Sequence, residues 1–135
     1  MKATELMIGD WVYDKVLKSN ARVEALQPLT IKCDIHTQKH ICDEFEPVKL
    51  TPGILEKNGF KDAPAKDTDA HNLVGKWWHK SGDVYVKKYC LSHGTYAYTI
   101  GSHPYTRIEN IHNVHELQRA LRCCVLWDLA DNFQV

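Results

Sequence analysis

The sequence predicts an α+β protein: an N-terminal small SH3-like barrel or twisted meander, a short capped helix, then an antiparallel sheet with a C-terminal helix packed across it. Three observations carry this expectation. Short runs with apolar alternation crowd the segment before Leu50, the segment around Pro52 is punctuated as a helix at both ends, and aromatic-rich runs separated by Ser/Gly turns follow Leu73.

In chain order, Gly9-Asp10 supplies a bend that feeds a strand over Trp11 to Tyr13. Ser19-Asn20 marks a turn, and Arg22 to Leu26 reads as a second strand ended by Gln27-Pro28. Ile31, Cys33 and Ile35 alternate with Lys32, Asp34 and His36, which predicts a half-buried strand with the first set inward. After a loop at Thr37-Gln38-Lys39, the returning strand is expected to place Ile41 and Phe45 inward and His40, Cys42 and Glu44 outward. Strands this short and this closely spaced suggest the small barrel or meander.

Thr51 is a good N-cap, Pro52 suits the first helical position, and Leu50 and Leu55 occupy the two positions of a hydrophobic staple. Asn58-Gly59 stops this helix, with Phe60 folding back onto Leu55 as in a Schellman motif. At about two turns it is too short to stand alone and must dock. Lys61 to Asn72 has no periodicity and reads as a surface linker. Val74 to His79, Val84 to Leu91 and Thr95 to Ile100 then read as a three-stranded meander joined by Ser81-Gly82 and Ser92-His93-Gly94, with Tyr105 to Glu109 a candidate fourth strand.

The last helix is expected from Val114 to Cys124, with Asn113 as N-cap and Glu116 completing a capping-box pair. Val114, Leu117, Leu121 and Cys124 share one face, and His115, Gln118, Arg119 and Arg122 fall largely away from it. The apolar tail with Leu126, Trp127, Leu129 and Phe133 is expected to dock. The organisation that follows is a small barrel with its helix over 1–60, a linker over 61–73, and a meander with its helix over 74–135.

Composition narrows the function classes. Lys+Arg and Asp+Glu balance at 17 each, so no net field steers the chain to nucleic acid or anionic lipid. No apolar run approaches the roughly 20 residues of a membrane helix, and the start lacks the apolar core of a secretory signal. Five cysteines, an odd number with Cys123 and Cys124 adjacent, argue against a disulfide framework; five reduced thiols and a cytoplasmic location are expected.

Three chemistries compete. Cys33-x2-His36 with His40-x-Cys42, echoed by Cys90-x2-His93, has the ligand types of a zinc site. The expected alternation turns Cys33 inward and His36, His40 and Cys42 outward, so neither a metal nor any other cofactor is expected. His112-Asn-Val-His115-Glu116 lacks the spacing of the metalloprotease motif, and a Cys90–His93 pair has no orienting group or oxyanion hole in view, so no catalytic residue is assigned and the chain is expected not to be an enzyme. The third candidate is a binding face. Lys76, Trp78 and Lys80 share one side of their strand and Tyr85, Lys87 and Tyr89 one side of the next; if the two sets are adjacent, and the C-terminal helix packs on the other face, they form a basic aromatic surface. Aromatic residues are enriched at protein interfaces, which favours a protein partner or self-association. Single-stranded nucleic acid, stacked on the aromatics, is the runner-up.

Three segments, ATELMIGDWVY, FEPVKLTPGILEKNGF and NVHELQRAL, in that order and separation, resemble a family of small uncharacterised proteins of Bacteroides-type gut bacteria, often encoded in their phages and mobile elements. Gly53 stands where that pattern has an acidic first-turn residue, and the tail after Leu126 is more apolar than expected. The Leu6…Gly9-Asp10…Val12 start is also similar to that of many SH3-like barrels. The resemblance implies no catalytic residue or ligand. What it implies is an accessory role in a phage or mobile element.

Overall fold

The computed structural model describes residues 1–102 and 106–135. Gly9 takes φ +91°, a conformation glycine adopts at little cost, and turns the chain into β1 (Trp11–Asp14). The following turn lies at 15–18, earlier than Ser19-Asn20. The Asp14 carboxylate sets it by accepting the amides of Val16 and Leu17, both at 2.8 Å. β2 (Ser19–Gln27), β3 (Thr30–Cys33), β4 (His40–Ile41) and β5 (Phe45–Pro47) complete an antiparallel sheet in the order β4-β3-β2-β1-β5. The sheet is open, and closure into a barrel through β4 and β5 is not observed among the described residues. Val12, Ala21, Val23, Ile31, Cys33 and Phe45 form its core.

The expected alternation fails at both ends of the β3–β4 hairpin. β3 stops at Cys33, and a turn closed by the His36 amide on the Cys33 carbonyl (3.0 Å) rotates His36 inward. Ile35 is left 43 % exposed. A 3-10 turn over Cys42–Glu44 then carries Cys42 into the core and leaves Ile41 outside. The physical reason lies outside the hairpin. Buried Asp14 needs a partner, and His36 Nε2 meets its Oδ2 at 2.6 Å.

Helix α1 (Pro52–Lys57) forms as its punctuation requires. Thr51 Oγ1 accepts the Ile54 amide, Gly59 sits at φ +84°, and the Gly59 and Phe60 amides donate to the carbonyls of Glu56 and Leu55. Leu50, Leu55 and Phe60 join the core of the second sheet, which provides the docking that so short a helix needs.

That sheet comprises β6 (Lys61–Asp62), β7 (Leu73–His79), β8 (Val84–Cys90), β9 (Tyr96–Ser102) and β10 (Thr106–Ile111), in the order β10-β9-β8-β7-β6. β6, within the expected linker, pairs Lys61 with Trp78 and Asp62 with Trp77. Tyr105, expected to open the fourth strand, lies outside the described residues. Helix α2 (Val114–Cys123) lays Val114, Leu117 and Leu121 on the inner face of this sheet, among Trp77, Val84, Val86, Tyr98 and Ile100. Helix α3 (Trp127–Asp131) and the tail follow, with Ala130 and Phe133 buried and Trp127 half exposed.

The other side of α2 differs from expectation: His115, Gln118 and Arg122 are buried. Gln118 accepts the Trp11 amide (3.0 Å) and donates to the carbonyls of Gly9 (3.0 Å) and Ala130 (2.9 Å). Arg122 binds Asp10 at 2.6 Å. The polar side of α2 is therefore the joint with the first sheet. Leu117→Ala should cost about 2–5 kcal/mol in urea melts, the usual range for a fully buried leucine. Arg119→Ala, on the exposed flank, should cost about 0.5 kcal/mol or less. Equal losses at the two positions would contradict this helical phase.

Candidate binding face on the second sheet

Helix α2 covers the inner face of the second sheet, so the polar-aromatic residues of β7 and β8 gather on the outer one. Strand alternation sends Trp77 inward and Lys76 and Trp78 outward, and pairing places Lys76 opposite Lys87 and Trp78 opposite Tyr85. Trp77 folds back along its strand onto Gly75, where any Cβ would run into the indole ring, so only glycine fits there. Lys76, Tyr85, Lys87 and Tyr89 line one open cleft of about 740 Å³, together with Thr99 of β9 and Arg107 of β10. Trp78, partly buried, donates its Nε1–H to Asp83 (2.7 Å), which lines the same cleft. Lys80 is exposed just beyond the end of β7 and is not part of the cleft lining.

Sequence reasoning missed the residue that organises this face. Asp69 extends from the 63–72 segment over β7 and β8, with Oδ2 3.3 Å from Lys76 Nζ and Oδ1 2.8 Å from Lys87 Nζ. The Lys66 amide, followed by the Lys87 and Lys76 ammonium groups, holds the Asp69 carboxyl well below the usual carboxylate range. Lys76 is thereby buried to 6 % exposure, with its ammonium 5.1 Å from the Tyr85 ring centroid. A signal was present in the sequence: two outward lysines facing each other across a strand pair demand a counter-charge, and Asp69 belongs to the connection that precedes them.

The other candidate chemistries are placed differently from expectation. Cys33, His36 and Cys42 all face the first core, so the inward and outward split invoked against zinc does not hold. The imidazoles are engaged by carboxylates, His36 with Asp14 and His40 Nδ1 with Glu44 Oε2 (2.8 Å), and their rings lie 4.1 Å apart. Among the described residues no group of three or more His, Cys, Asp or Glu side chains is arranged to hold a metal ion. Burial, assisted by nearby carboxylates, pushes the Cys33 thiol up to about 12, which keeps it protonated and unreactive. Burial pushes the Asp14 carboxyl up, but the Leu17 and Val16 amides and the His36 ring outweigh it and hold the group below its ordinary value.

Glu116 caps α2 as expected, accepting the amides of His112 (2.7 Å) and Asn113 (2.9 Å). His115, expected to be solvated, is buried, and that burial lowers its pKa. Cys90 Sγ points to the Leu91 carbonyl at 3.8 Å, and no hydrogen bond links it to His93 among the described residues. The five cysteines are all free thiols. Among the described residues no helix is long and apolar enough to cross a membrane. Comparison with protein-family models, with curated proteins and with solved structures gives no match.

Proposed function

We propose that this chain is a non-enzymatic interaction module that holds a protein partner, or a second copy of itself, on the outer face of its second sheet. The carrying observation is the cleft in which Lys76, Tyr85, Lys87 and Tyr89 meet on the side of the sheet away from α2. Aromatic and polar groups on a framework of paired strands suit recognition of another protein. The family resemblance supports an accessory role in a phage or mobile element, and the odd cysteine count with adjacent Cys123 and Cys124 supports action in the cytoplasm. The Leu6…Gly9-Asp10…Val12 start separately supports a reading of the first sheet as a small SH3-like barrel left open between β4 and β5.

Nucleic acid is the second reading, favoured by Lys66, Lys76, Lys87 and Arg107 around the tyrosines. Charge compensation weighs against it: Lys76 and Lys87 both carry Asp69, and Arg107 Nε carries Glu109 at 2.9 Å. A photo-crosslinking amino acid in place of Tyr89 should trap a protein adduct, or a second copy, in a lysate of the natural host. The same group in place of Lys15, in the turn after β1, should not. Equal trapping from both positions, or none from Tyr89, would sink the reading. Nuclease-sensitive adducts that fade steeply with salt would select the nucleic-acid alternative.

A further inference from the structure

Lys76 and Lys87 stand directly opposite each other across β7 and β8. Like charges in that register destabilise a sheet unless a counter-charge lies between them. Asp69 supplies it, one carboxylate oxygen to each ammonium. The two partners in this arrangement differ in how they are held. The lysines belong to long paired strands, and Lys76 is packed against the Tyr85 ring. Asp69 belongs to the irregular 63–72 segment, a strap anchored at its ends by the Ala63 amide on the Lys76 carbonyl (2.9 Å) and by the Asn72 side chain and carbonyl on Cys90 (both 3.0 Å). Between those anchors the Asp69 carboxylate and amide bond back to Lys66, at 2.7 and 2.9 Å, which makes a local turn with one carboxylate at its tip.

We propose that the Lys76–Lys87 pair is a carboxylate-binding site for an acidic segment of a protein partner, and that Asp69 occupies it as an internal stand-in which the partner displaces. The proposal rests on the reading of the outer face as an interaction surface and names what that surface recognises. Exchange of one carboxylate for another leaves the buried Lys76 charge paired throughout, so the exchange avoids the cost of a lone buried ammonium. A carboxylate is favoured over a phosphate chain because the group that already fills the site is a carboxylate, meeting each ammonium with one of its two oxygens. A tethered competitor lowers apparent affinity for the external ligand, and removal of its charge restores that affinity.

The probe is a fluorescein-labelled hexa-aspartate peptide, with oligo-thymidine of similar length beside it. Asp69→Asn should bind the peptide about tenfold or more tightly than the wild-type chain, and Lys87→Gln in that background should remove the gain. No gain in Asp69→Asn, or a gain for oligo-thymidine equal to or above that for the peptide, overturns the proposal. Should Asp69→Asn fail to fold, the wild-type chain decides: saturating peptide should speed trypsin cleavage after Lys66 severalfold as the strap lifts, and an unchanged or slower cut overturns it. Tyr89 crosslinks alongside an inert Asp69→Asn would leave the interaction surface standing and remove only the displaced carboxylate. The loss of both would remove the surface as well.

Discussion

Arg122→Ala should destabilise the protein by about 3–5 kcal/mol, the range for breaking a buried ion pair from one side. The guanidinium is 3 % exposed and its partner Asp10 fully buried, with Nη1 2.6 Å from Oδ1. Asp10 also accepts the Met7 amide at 2.8 Å, and its backbone carbonyl accepts the Val23 amide, so it organises the entry to β1 and β2. Asp131, half exposed, is a second partner of Arg122 at 3.3 Å and adds less, because water screens it. Removal of Arg122 leaves the Asp10 carboxylate buried without its cation at the joint between the first sheet and α2. A double-mutant cycle with Asp10→Asn, read in urea melts, should show strong coupling, because each single change strands the other group. A loss at Arg122 as small as that at Arg119 would mean that the two sheets are not joined through this pair.

Trp77→Ala should cost about 3–5 kcal/mol, as expected for truncation of a large buried aromatic. Trp77 is 5 % exposed, with its ring centroid 6.3 Å from that of Tyr98, and it belongs to the cluster built on α1, α2 and the second sheet. Trp78→Ala should cost about 1 kcal/mol, because the ring lies on the outer face and its main polar contact is the hydrogen bond to Asp83. The two variants should also differ in kind. Trp78→Ala should weaken association seen by light scattering or crosslinking, and Trp77→Ala should act through stability alone. Equal stability losses with unchanged association would reverse the assignment of faces and remove Tyr85, Lys87 and Tyr89 from the site with it.

That pair shows how far local pattern carries. Two adjacent tryptophans on a strand must point to opposite sides, and the flanking Lys76 identifies the outer one, so the placement of Trp77 and Trp78 is readable from residue types alone. The same holds for α1, because Thr51, Pro52, Gly59 and Phe60 each supply a local requirement of a helix end. Alternation stopped being reliable where the strand stopped. His36 and Cys42 turn inward because the chain leaves β3 after Cys33 and winds into a 3-10 turn at Cys42, and no residue in that stretch announces either event. His36 answers a demand made by Asp14, more than twenty residues earlier. Asp69 stands in a stretch without periodicity, and its one signal was the pair of lysines that needs a counter-charge. What gives it a role is the register of β7 against β8, which exists only once the strands pair.

Taken alone, the sequence determined the α+β class, the caps of α1 and α2, the apolar stripe of Val114, Leu117 and Leu121, and the division of the second sheet into an aromatic-polar face and a core face. These follow from backbone periodicity and from the few residues that helix ends and turns accept, which are short-range properties. The tertiary structure alone decided that α2 is buried on two sides, with Gln118 and Arg122 bonded into the first sheet, that the first sheet stays open, and that a carboxylate from the 63–72 strap neutralises the lysines of the candidate site. A polar side chain is a surface residue by default, because burial strips its water. It becomes an interior residue when a partner brought to it by the fold replaces that water, as Asp10 does for Arg122 and Asp69 for Lys76.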